Sequence, residues 1–170
     1  MKLPEKDELS LHPADFAGLS RAVLAKGCLF RFGARGSSMT PFIRDGDIIT
    51  IAPLSGQAPR FGEVVAFSRW NEIQSVLVIH RIVGRGSRGF AIQGDGNVCT
   101  PEFVPSKDIL GRVVKIERDG RPVRFGLGPE RRLLAWLSST RLIWKFVWPV
   151  WSRLPQVFKK SHRSFGTPLG

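Results

Sequence analysis

Lysine is missing from the middle of this chain: none occurs between Gly27 and Ser106. A serine nucleophile there would have to find another base, and the usual bases are histidine or lysine. Histidine is scarce too, with His12 and His162 in the terminal segments and His80 between them. Cysteine is limited to Cys28 and Cys99, whose spacing fits neither a zinc pattern nor a Cys-x-x-Cys redox pair. Both read as small apolar residues. No cofactor and no metal are expected. No run reaches the ~20 uninterrupted apolar residues of a membrane span. Met1 to Ser10 is charged on both signs and has no apolar stretch, so no secretory signal peptide is read there. The active part is expected on the side where it was made, the cytoplasmic side, subject to what the C-terminal end does. Acids are rare at that end: residues 121–170 hold ten Lys or Arg against one acid, Glu130. Such an end suits nucleic acid, an anionic membrane or an acidic partner, and charge alone does not choose.

What is present is globular. Of 170 residues, 42% are hydrophobic and 24% charged, which argues against a disordered chain. The 18 glycines and 12 prolines go with short strands and many turns. Residues 1–27 read as a polar leader and a short helix. Phe16, Leu19, Val23 and Leu24 fall at helical spacing within Pro13 to Lys26, and Gly27 stops the helix. Residues 28–125 read as a β-rich domain. Its runs are Cys28–Phe32, Ile48–Ala52, Glu63–Phe67, Ser75–Val83, Phe90–Gln93, Gly111–Glu117 and Pro122–Arg124. Residues 126–170 open with a Gly126, Gly128, Pro129 break and continue as a basic, Trp-rich helical segment. The expected class is mainly β: an antiparallel domain with a short N-terminal helix and a C-terminal helical appendage.

Three motifs carry chemistry. The first is Gly36-Ser37-Ser38-Met39-Thr40-Pro41. A serine nucleophile needs an exposed turn with backbone N–H groups nearby for the oxyanion, and glycine lets a substrate backbone approach. The second is His80, which strand alternation places on one face with Val76, Val78 and Ile82. Desolvation on an apolar face favours the neutral, proton-accepting imidazole. If Ser38 is a nucleophile, His80 is the one neutral-pH base the β domain offers before Lys107. The third is Gly94-Asp95-Gly96-Asn97, a tight turn whose aspartate could set the His80 tautomer.

These pieces occur in order with Gly46-Asp47, Phe61–Phe67, His80-Arg81-Ile82-Val83 and Gly111-Arg112-Val113-Val114. Together they resemble the signal peptidase I superfamily over residues 36–114. Lysine-type members, including LexA-like repressors, pair serine with lysine. The archaeal, endoplasmic-reticulum and sporulation types use histidine, and His80-Arg81 is similar to theirs. The resemblance implies a signal-peptidase/LexA-like β fold and a serine endopeptidase. Ser38 would be nucleophile, His80 general base and Asp95 supporting acid, with Glu102 as a displaced alternative. Ser37 and Met39 would lie on the substrate and oxyanion side. The polypeptide substrate, a signal or leader segment, would lie extended in a groove. A non-catalytic peptide-binding relative and a LexA-like self-cleaving protein are the other readings.

Residues 131–160 combine Trp136, Trp144, Trp148 and Trp151 with basic side chains and an apolar stripe. Tryptophan with Lys and Arg suits a membrane interface, so this segment is expected to attach the protein to an anionic membrane surface. Arg141, Lys145 and Pro149 argue against a simple span. No nucleic-acid-binding motif accompanies the basic tail, so nucleic acid is not the expected partner.

Overall fold

The computed structural model describes residues 12–70, 73–96, 100–123 and 125–139. The leader 1–11, Asn97, Cys99, Arg124 and everything from Thr140 onward lie outside the described residues. The chain forms helix α1 (Pro13–Ala25) and strands β1 (Phe30–Gly33), β2 (Ile48–Pro53), β3 (Val64–Trp70) and β4 (Ser75–Gly86). Strands β5 (Gly89–Gln93), β6 (Glu102–Val104), β7 (Ile109–Arg118) and β8 (Arg121–Pro122) follow, then helix α2 (Arg131–Ser139). The architecture is mainly β, as the sequence implies.

Every strand pairing is antiparallel, in the order β1-β2-β7-β3-β4-β5-β6, with β8 on β7. The long β7 is the hinge of this order. It pairs with β2 along Gly111–Glu117 and with β3 along Ile109–Arg112. One apolar cluster, with Ile49, Ile51, Val64, Ala66, Val113 and Ile116, receives Leu24 from α1 and Met39 from the loop after β1. A second, with Val65, Phe67, Ile82, Phe90 and Ile92, takes the alternate residues of β3 together with β4 and β5. A strand buried on both faces needs a continuous apolar run, which Val64 to Phe67 supply, while Val76 to Ile79 are half-buried.

The differences from the sequence reading have physical causes. The sequence shows no strand at β6, which is three residues between Pro101 and Pro105 and forms by pairing with β5. Strand β4 runs past Val83 to Gly86, because a register shift between Ile82 and Gly84 absorbs the irregularity and pairing resumes to Gly89. Strand β1 starts at Phe30 rather than Cys28, since Phe30 pairs with Ile51 and exposed Leu29 lies beyond that ladder.

Candidate functional site

The loop after β1 folds back on itself. The Gly36 N–H donates to Asp45 Oδ1 (2.8 Å), and Thr40 N–H donates to the Ser37 carbonyl (3.0 Å). Asp47, 2% exposed, receives the Arg44 N–H (2.8 Å) and a two-point contact from Arg118, Nε at 2.8 Å and Nη2 at 2.7 Å. Arg118 Nη2 also donates to the Phe42 carbonyl (3.1 Å). The loop carrying Ser38 is thus bolted to β7 by a part-buried charge-assisted contact, the stronger kind of hydrogen bond. Ser37 is exposed and Ser38 half-buried. The Met39 side chain turns inward, 4% exposed, and its Sδ accepts the Asp95 N–H (3.5 Å). Met39 therefore packs beneath the turn with its side chain in the core.

His80 sits in β4 opposite Val65, 9% exposed, with its ring 6.1 Å from that of Phe67. Its pKa is pushed down to about 4. Desolvation is the main cause, the charge of Arg69 adds to it, and the charge of Asp95 opposes it. The imidazole is a neutral proton acceptor at ordinary pH.

The third motif closes the arrangement. The Gly96 N–H donates to the Ser38 carbonyl (2.7 Å). A Cβ on Gly94 would stand 2.5 Å from that carbonyl oxygen and 3.0 Å from His80 Nε2. One on Gly96 would stand 2.6 Å from the Ser37 carbonyl oxygen. No side chain fits at either position, so glycine is required for the three segments to meet. The backbone of Ser38 and the ring of His80, 42 positions apart in sequence, thus both border Gly94.

Asp95, the supporting acid that the resemblance implies, is bound to Arg81. Both its carboxylate oxygens accept from Arg81: Nε to Oδ1 at 2.8 Å and to Oδ2 at 3.1 Å, and Nη2 to Oδ2 at 2.7 Å. It reaches His80 through its charge. Arg81, 1% exposed, also donates from Nη1 to the carbonyls of Gly62 and Gly126, each 2.9 Å, and its guanidinium lies 5.7 Å from the Phe42 ring centroid. Sequence reasoning treated Arg81 as part of a motif and missed this hub. The signal was available, because strand alternation puts Arg81 on the face of Leu77 and Ile79, where a charge must be paired. The alternative acid, Glu102, pairs with Arg69 (3.3 Å) on the exposed side of the sheet.

Lys107 is exposed in the short 3-10 turn Ser106–Asp108. A cavity of about 250 Å³, walled by Glu63, Arg112 and Arg131, shares Gly62 and Gly126 with the Arg81 hub but includes neither Ser38 nor His80. Among the described residues no cluster of His, Cys, Asp and Glu is arranged to hold a metal ion.

Compared with known families, residues 5–114 match the model described as Peptidase S24-like. Comparisons with curated proteins and with solved structures give no match.

Proposed function

Because the chain belongs to the Peptidase S24-like family, which places it in the signal peptidase and LexA superfamily, we propose that it is a serine endopeptidase using histidine as base. Ser38 attacks the scissile carbonyl, and His80 takes its proton and returns it to the leaving amine. Backbone N–H groups of the Ser38 turn, with Ser37 beside them, hold the oxyanion. The observation that supports this reading is that the Ser38 backbone carbonyl and His80 Nε2 both flank Gly94, which puts the Ser38 turn beside the imidazole. The neutral state of His80 and the exposure of Lys107 favour the histidine-type branch over the lysine type. The substrate is an extended polypeptide of signal or leader type, laid along the domain as an added strand.

Incubating the full chain with a library of peptides rich in small residues, beside Ser38→Ala, tests the proposal. The expected result is cleavage by the unmodified protein and none by the variant. One observation favours a second reading, a non-catalytic peptide-binding relative: both Asp95 carboxylate oxygens are engaged by Arg81. Binding of the same peptides without cleavage by the unmodified protein would support that second reading.

A further inference from the structure

Helix α2 has two unlike sides. Inward, Leu134 packs with Phe42, and Ala135 packs with Val83 and Ala91. The helix start crosses Gly62 so closely that a Cβ there would stand 2.8 Å from the Arg131 carbonyl oxygen. Outward, Leu133 is 57% and Trp136 52% exposed, with exposed Arg132 beside them. Phe125, 60% exposed, has its ring 5.6 Å from that of Phe42. Phe42 is thus a common floor under the helix and under Phe125. It lies four residues after Ser38, Arg118 holds its carbonyl, and Arg81 sits over its ring.

The loop that leads into α2 is fixed as well. Glu130 accepts the N–H groups of Gly126 (2.7 Å) and Gly128 (3.0 Å). Burial pushes the Glu130 carboxyl up, but these backbone donors and the charge of Arg81 outweigh it and hold its pKa below the ordinary value. Glu130 is the single acid among residues 121–170, whose sequence holds ten Lys and Arg, and its carboxylate is turned into its own loop.

We propose that Phe125, Leu133 and Trp136, flanked by this basic excess, seat on an anionic lipid surface, and that seating α2 there steadies the Ser38 turn through Phe42 and Arg81. Large exposed apolar side chains beside an exposed cation such as Arg132 fit the boundary between headgroups and acyl chains. The seat is interfacial, and among the described residues no helix is long and apolar enough to cross a membrane. The lipid contact stands independently of the peptidase reading, whereas its effect on catalysis rests on that reading.

The test uses the full chain with vesicles of phosphatidylcholine alone or mixed with phosphatidylglycerol. Co-sedimentation and amide hydrogen exchange over residues 36–47 are read in the unmodified protein, in Leu133→Ser/Trp136→Ser and in Arg132→Glu. The unmodified protein should bind the mixed vesicles, release at high salt, and exchange more slowly over 36–47 when bound. The double variant should bind about tenfold more weakly or worse. Arg132→Glu, a surface change that leaves the packed face alone, should also weaken binding. Neither readout involves cleavage, so a protein that cuts nothing can still pass and a good peptidase can still fail. Unchanged binding by both variants, no binding to mixed vesicles, or self-association through the same residues would overturn the seat. Binding without slowed exchange over 36–47 would overturn the coupling.

Discussion

An imidazole that titrates near 4 is available as a base at every pH above that value. The pKa of His80 is set first by burial and second by Arg69, with Asp95 opposing. The acid limb of kcat/KM should therefore fall near pH 4 rather than near the ~6.5 of an unperturbed histidine. Arg69→Gln should move that limb upward, and NMR titration of the His80 ring should show the same shift without any substrate. An unmoved limb would mean that the Arg69 charge does not reach the imidazole. The sign for stability follows from linkage. The folded pKa lies below the unfolded one, so the unfolded chain binds the extra proton between about pH 6.5 and 4. The stabilisation associated with His80 is present above about 6.5 and lost as pH falls toward 4, with a slope approaching about 1.4 kcal/mol per pH unit. Denaturant unfolding at several pH values should show this loss in the unmodified protein and not in His80→Gln.

Between elements, the Arg81–Asp95 pair is the contact on which most depends. It joins β4 to the Asp95 turn, the Gly62 turn and the Gly126 break. Removing one partner leaves a buried charge uncompensated, so Asp95→Asn should destabilise the fold by about 3–5 kcal/mol in urea unfolding. Glu102→Gln, which breaks an exposed pair, should change stability by less than about 1 kcal/mol. An Asp95→Asn protein of normal stability but no activity would return Asp95 to the triad role that the resemblance implies. Gly94→Ala is the complementary test. The added methyl would collide with the Ser38 carbonyl and His80, so it should cost about 1–3 kcal/mol and separate the pair. At this scale the sequence is an uneven guide. Long apolar runs such as Ser75–Val83 announce their strands. The β6 strand is defined by its neighbour, and the partner of Asp95 is settled by which face of β4 Arg81 occupies.

Across the whole molecule, the candidate site is the junction of three segments distant in sequence: the Ser38 loop, β4 and the Gly94–Gly96 turn. Their motifs were legible because each uses residue types with a narrow job: serine beside glycine, histidine on an apolar face, glycine where backbones touch. What joins them was not legible, since Asp47 to Arg118 spans 71 positions and Arg81 to Gly126 spans 45. Such partners follow from topology, not from local pattern. The same topology brings α2 against Phe42, so the described helix Arg131–Ser139 packs on a residue of the Ser38 loop. The most direct test of the central claim is kcat/KM on a cleaved peptide for the full chain, Ser38→Ala and His80→Ala, each checked for intact fold by circular dichroism. The account predicts that each substitution alone lowers kcat/KM by about 10⁴ or more, because the two side chains act as one unit. Turnover of the same peptide at an undiminished rate by Ser38→Ala would contradict it.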